Sequence, residues 1–495
     1  MERVKITIAN LGIDELAKII SSNAEVFLDD ETKEKINKCR SYLDQKIESG
    51  EEVFYGINTG FGSLCNTVIS KDQLSQLQEN LVKSHACGMG NEVPSEIVKI
   101  MLLLKIQGLS YGHSGVALET VQRLIDFYNH NIIPVVYQEG SLGASGDLAP
   151  LAHMSLPLLG LGEVYYEGQK KKASEVLATK NWSPLKLKSK EGLALLNGTQ
   201  FMSAHGCWAL IKAKKLSDLS DVIGALSLEA FDGRKEPFTS QVHEVRGHSG
   251  QIATAERLRE LLAGSQLIDQ PKVNVQDPYS FRCMPQVHGA SKDVIANAEE
   301  VYTREINAVT DNPTIFPDDD MIVSAGNFHG QPLALQADFL SIALAELGSM
   351  SERRVYKLIG GTRELPSFLV AKSGINSGFM IAQYAIASVV SKNKTLCTPA
   401  SVDTIDSSQG QEDHVSMGAN AVVKLCEVVT NLEKILGVEL LTACQALDFR
   451  GAEKTSPKLK KIYNDFRNEV SFIDEDIYMH EAMEKAISFV KSYKL

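Results

Sequence analysis

Apolar residues recur three and four positions apart along most of this chain, the spacing that lines one face of an α-helix. Ile97, Ile100, Met101 and Leu104 open such a stripe over 97–111. Longer stripes follow at about 207–231, 286–309, 330–358, 376–393 and 416–447. Leu333 to Ile359 and Val422 to Leu447 each contain no Pro and one Gly. A helix of ~25 residues spans ~40 Å at 1.5 Å per residue. That is too long to wrap a small core, so the pattern predicts an elongated bundle with burial on more than one side. Only two stretches read as β. Val4 to Ala9 alternates, and Gly162 to Gln169 is a short strand, a Gly turn and a return strand. The expected fold class is mainly α. A loop-rich region over 1–205 with a little β feeds a bundle of long helices over 206–495, in one interlocked unit.

Composition narrows the class. A chain of 495 residues would ordinarily suggest roughly three domains, but the long helices absorb that length, and no repeat or linker divides it. With 44% apolar and 23% charged residues and only 15 Pro, the chain is neither disordered nor collagen-like. A net charge of −12 argues against nucleic acid or an anionic membrane as partner. The one basic run, Lys170-Lys171-Lys172, lies between Glu167 and Glu175 and reads as a solvated turn. Eight cysteines are scattered without a CxxC pair or zinc spacing, and His243 and His248 are five apart, so no metal site is expected. The first residues lack the apolar block of a signal peptide, and no stretch reads as the ~18–20 apolar residues of a membrane span. The expected location is the cytoplasm.

Chemistry is sought in the loops between helices. Gly140 to Pro150 reads Gly-Ser-Leu-Gly-Ala-Ser-Gly-Asp-Leu-Ala-Pro. It has no Lys for a phosphate loop, and Asp147 stands where a nucleophile elbow needs its closing Gly. A plain reading is a Gly turn before a helix capped by Asp147. A chemical reading also exists. The Gly146 nitrogen, uncrowded by any Cβ, can approach the Ala144 carbonyl. Ring closure, with loss of water there and from Ser145, would leave a methylene conjugated to a carbonyl and a C=N bond: an electrophile made from backbone.

Gly143-Ala144-Ser145-Gly146-Asp147-Leu148, Phe54 to Gly62, Leu196 to Gln200, Gln276 to Arg282, Gly326 to Gly330 and Gln411 to His414 stand in one order along the chain. On these motifs the sequence resembles the aromatic amino-acid ammonia-lyases, which carry a methylidene-imidazolone group formed from Ala-Ser-Gly. The resemblance implies the helical fold of the fumarase/aspartase-type lyases, homotetramers with sites shared between subunits, and no external cofactor. Ala144, Ser145 and Gly146 match the self-made electrophile, which captures the substrate amine or, in an older proposal, the ring. Tyr55 matches the catalytic base, and since a phenol titrates near pH 10, its surroundings must activate it. Arg282 matches the clamp on the substrate carboxylate, with Tyr279 and Gln276 before it. Asn197 matches the holder of the electrophile's oxygen, and Phe328 a pocket residue.

Substrate choice rests on fewer positions. Ser84-His85 is the histidine-type pair, where tyrosine- or phenylalanine-specific members have His-Leu or Phe-Leu; Ser-His also occurs in some tyrosine lyases. Glu412 matches an acidic residue of the histidine-using branch and suits an imidazole N–H. The implied reaction is elimination of ammonia from L-histidine to trans-urocanate. The alternatives are tyrosine or phenylalanine deamination or a 2,3-amino shift, and, more remotely, an inactive helical scaffold.

Overall fold

A computed structural model describes residues 3–6, 10–50 and 52–494. The chain forms two compact units. The first is built from Met1–Ile211, Glu299–Asp338 and Pro399–Val423, and the second from Lys212–Ala298, Phe339–Thr398 and Lys424–Leu495.

All strands among the described residues lie in the first unit. Arg3–Ile6 pairs in parallel with Glu25–Leu28; positions 7–9 of the expected strand lie outside the described residues. Glu163–Tyr166 and Gln169–Lys172 form the expected hairpin, turning through Glu167 and Gly168, both at positive φ. The lysine run sits in the return strand rather than in a turn. Carboxylates draw it there: Lys170 pairs with Glu92 at 2.7 Å and Glu163 at 3.2 Å, and Lys171 with Glu167 at 3.2 Å. Three short pairings were not visible in the sequence, including Met89–Glu92 with Tyr137–Glu139. Through the middle of this unit runs the helix Ser95–Ser110, buried on every side from Ile97 to Ser110 rather than along one stripe.

The periodic stretches are helices: Gln200–Ala230, Met284–Glu305, Gln331–Leu358, Met380–Leu396 and Gly418–Arg450. Gln331–Leu358 is long and apolar enough to cross a membrane by length and composition, contrary to the sequence expectation, yet 61% of its most apolar window is buried inside the protein. That is the environment of a core helix.

The second unit holds no strand among its described residues. Among its buried polar side chains is a charged cluster. Arg354 grips Glu439 with two bonds, Nε to Oε1 at 2.5 Å and Nη2 to Oε2 at 2.9 Å, and Ser227 donates to Oε1 at 2.7 Å. Close by, His288 bonds Asp221 at 2.8 Å, and Lys292 lies 3.0 Å from the same carboxylate. Arg354, Glu439, His288 and Asp221 are all shut off from solvent. Buried charges of this kind persist only when paired and hydrogen-bonded.

Candidate active site

The chain bends sharply between Gly143 and Leu148. Four of these six residues have positive φ: Gly143 (84°), Ser145 (52°), Gly146 (80°) and Leu148 (50°). At Gly146 no other residue fits, because a Cβ there would lie 2.1 Å from the Gly198 carbonyl oxygen. A second segment holds this bend. Asn197 Nδ2 donates to the Ser145 carbonyl at 2.7 Å, and the Asp147 N–H donates to the Gly198 carbonyl at 2.8 Å. The Asp147 carboxylate accepts from the N–H groups of Phe201 at 2.6 Å and Met202 at 3.3 Å. Asp147 therefore caps the helix Gln200–Ala230, not the helix that follows it in sequence. Burial pushes its carboxyl up to about 8, against the pull of those two N–H groups and of Lys105.

Lys105 supports the second segment. Its ammonium is fully buried and donates to the carbonyls of Asn197 at 2.9 Å and Ala194 at 3.1 Å, the end of the helix Glu191–Leu196. Burial lowers its pKa to about 8. Asn197 is itself buried, and its Oδ1 has no hydrogen-bond partner.

Beside Ser145 lies a cavity of about 540 Å³. Its polar lining includes Tyr55, Ser84, His85, Ser145, Ser408 and Glu412, set among apolar side chains such as Leu77, Leu81 and Leu193. The Tyr55 hydroxyl accepts from the Gly62 N–H at 3.0 Å. Burial, chiefly, raises its pKa, with the Glu412 charge adding to the rise; the Gly62 N–H pulls the other way. The expected activation of this phenol is thus not supplied by the groups around it here, which favour the neutral form. His85 ends the helix Leu74–His85, its Nδ1 3.0 Å from the Ser84 hydroxyl. Burial lowers its pKa, keeping the ring neutral near pH 7.

Glu412 is half-buried and faces the bend. Its Oε1 accepts from the Ser145 hydroxyl at 3.3 Å and its Oε2 from the Ser407 hydroxyl at 2.6 Å. Backbone bonds in both directions join residues 407 and 412, at 3.1 and 3.3 Å. Between them Ser408, Gln409 and Gly410 all have positive φ, and Ser408 Oγ accepts from the Ser63 N–H at 3.0 Å.

The remaining candidates lie elsewhere. Phe328 sits half-buried in a turn of the first unit, outside the lining of this cavity. Gln276, Tyr279 and Arg282 cluster in the second unit, beside a separate cavity of about 300 Å³ that Gln276 and Arg282 line. The Arg282 guanidinium stacks 4.5 Å from the centre of the Tyr279 ring. With its amide turned oxygen-inward, Gln276 accepts from both Arg282 Nη atoms at 3.2 Å.

Known proteins share this arrangement's sequence. The profile of the aromatic amino acid lyase family matches residues 11–468. The chain belongs to the aromatic amino acid lyase family. One relative within it, a histidine ammonia-lyase from Caldanaerobacter subterraneus, is 46% identical over 100% of this chain and 98% of its own. The crystal structure of histidine ammonia-lyase from Trypanosoma cruzi superposes with a TM-score of 0.92 at 39% identity, covering 99% of this chain and 93% of the other. A tyrosine aminomutase from Streptomyces globisporus superposes equally well, at 0.93 and 32% identity, covering 99% and 96%. The mainly helical fold is the one these lyases and aminomutases have in common, so the backbone alone does not select the substrate.

Two side chains at this candidate site escaped the sequence reading. Ser407 stands four residues before the motif Gln411 to His414, but nothing local shows that its hydroxyl reaches Glu412. Lys105 carried a signal that could have been used: a lone ammonium deep inside the apolar run 100–109 needs buried partners.

Proposed function

We propose that this chain eliminates ammonia from L-histidine and releases trans-urocanate. The observation that carries this reading is Glu412, a carboxylate on the wall of a largely apolar cavity, fixed by Ser407 and directed at Ser145. An imidazole N–H gives that carboxylate a partner, whereas a phenyl ring leaves it unpaired at a cost. The near-full-length identity to histidine ammonia-lyases supports the same choice.

The segment Ala144-Ser145-Gly146 fits the precursor of a methylidene-imidazolone. Gly146 is pressed against Gly198, the Ser145 carbonyl is held by Asn197, and the buried Asn197 Oδ1 has a bond to spare. Once formed, that group supplies an electrophile for the substrate amine. Tyr55 faces the same cavity and is placed to take the β-proton. Because burial disfavours its anion, the charge it needs must come with the substrate ammonium or from residues outside this unit. Arg282, with Gln276 and Tyr279, is suited to clamp the substrate carboxylate, and Phe328 to wall the pocket. In this reading they complete the site from other copies of the chain in a homotetramer.

The test is to offer L-histidine, L-tyrosine and L-phenylalanine side by side. Urocanate is expected. Coumarate or cinnamate without urocanate, or a β-amino acid, would transfer the activity to the other branches of the family. In molecules that carry the electrophile, exchanging Glu412 for Ala is expected to lower the ratio of kcat/KM for histidine over phenylalanine ~10–100-fold, the worth of a hydrogen bond to a charged group. An unchanged ratio would remove Glu412 from substrate recognition.

A further inference from the structure

We propose that Glu412 is also the proton carrier for the loss of the Ser145 hydroxyl while the segment 144–146 processes itself. This rests on the self-processing reading above and adds a residue to it.

Hydroxide is a poor leaving group, so the Ser145 Oγ must depart as water, with a proton delivered to it. Among the described residues, the acid–base side chain hydrogen-bonded to that hydroxyl is Glu412, through Oε1 at 3.3 Å. The other candidates are turned elsewhere. Both Asp147 oxygens are taken by the N–H groups of Phe201 and Met202. The Lys105 ammonium faces the carbonyls of Ala194 and Asn197. The Tyr55 hydroxyl meets the Gly62 N–H and is a weaker acid than usual, and the His85 ring, kept neutral by burial, has its Nδ1 at Ser84.

Glu412 is also held still. Ser407 fixes Oε2 at 2.6 Å, the two backbone bonds between 407 and 412 close the loop, and Ser63 anchors Ser408. A carboxylate with one oxygen fixed presents the other at a set position, which is what proton transfer demands.

The chemistry balances in two steps. In the first, the bond from Gly146 N to the Ala144 carbonyl carbon forms, and the carbonyl oxygen leaves as water with the protons of Gly146 N and Ser145 N. In the second, the Glu412 carboxylate takes the proton from Ser145 Cα and the Cα–Cβ double bond forms. The Cβ–Oγ bond breaks, and the same carboxyl returns the proton to the departing oxygen. Oγ and Cα are separated by one carbon, so one carboxylate serves both. Glu412 ends as it began, one water is lost, and no oxidant is used. Oε1 has then lost its hydroxyl donor and is free to meet the substrate.

The experiment is intact mass on the purified full-length chain, with circular dichroism as the check on folding. The wild type is expected two waters below its encoded mass. Glu412→Gln keeps the size of the side chain and can accept from one hydroxyl while donating to the other, but it cannot carry the proton, and is expected one water below: ring closed, hydroxyl retained. Glu412→Asp is expected to lose its second water about 10²-fold more slowly than the wild type; it carries the test alone if the Gln variant does not fold. Loss of both waters at the wild-type rate in these variants overturns the proposal. Loss of no water overturns it too, since Glu412 would then act in ring closure. A wild type at full encoded mass would instead defeat the self-processing reading itself, and complete processing with altered histidine turnover would leave the proposed function in place.

Discussion

Replacing Ser145 by Ala is expected to leave a folded chain whose ammonia elimination falls by about a thousandfold or more. The alanine removes the hydroxyl whose departure creates the electrophile, while the bonds that shape the bend come from backbone groups and from Asn197 and Asp147, and these remain. Product absorbance with histidine reads the rate, and circular dichroism checks the fold. Turnover at the wild-type rate would dismiss the electrophile. Gly146→Ala should lose activity as completely but for a different reason. Its Cβ would lie 2.1 Å from the Gly198 oxygen at a φ of +80°, so the bend must open. The strain of opening it is expected to cost about 1–3 kcal/mol in stability, which Ser145→Ala avoids.

The largest effect on stability is expected in the second unit. Glu439→Ala would strand the Arg354 guanidinium in a site shut off from water, and Ser227 would lose its acceptor. Breaking a buried pair from one side costs about 3–5 kcal/mol, read as a lower denaturation midpoint with little change in the kinetics of whatever folds. Replacing both partners by apolar residues of similar volume, Arg354→Met with Glu439→Leu, should recover most of that loss. A double variant as unstable as the single would mean that Arg354 acts through other partners, such as its bond to the Ser280 carbonyl at 3.4 Å.

Much of this was legible in the sequence because the information was local. The helices Gln331–Leu358 and Gly418–Arg450 announce themselves by spacing alone, and their ends fall within a few residues of the apolar pattern. The strands at Met89–Glu92 and Thr314–Phe316 were not legible, since three or four residues carry too little periodicity to stand out. At the site, Tyr55, His85, Ser145 and Glu412 were named from motifs, and they line one cavity. What the motifs could not convey was pairing across distance. Asp147 looks like the cap of its own helix until the fold brings Phe201 to it, and Ser407 is an ordinary loop serine until the chain doubles back on Glu412. Electrostatics was the other blind spot. A tyrosine named as a base carries no mark of the burial that favours its neutral form.

The reach of Asp147 has a consequence for synthesis. The groups it caps lie 54 and 55 positions further along the chain. The bend at 143–148 therefore cannot be held in shape when residues 144–146 first emerge from the ribosome. It must wait until the start of the helix Gln200–Ala230 has been made and has folded back. Under the proposed chemistry, each missing water records a folding event already completed, and the mass of the chain becomes a tally of how many molecules reached the native state.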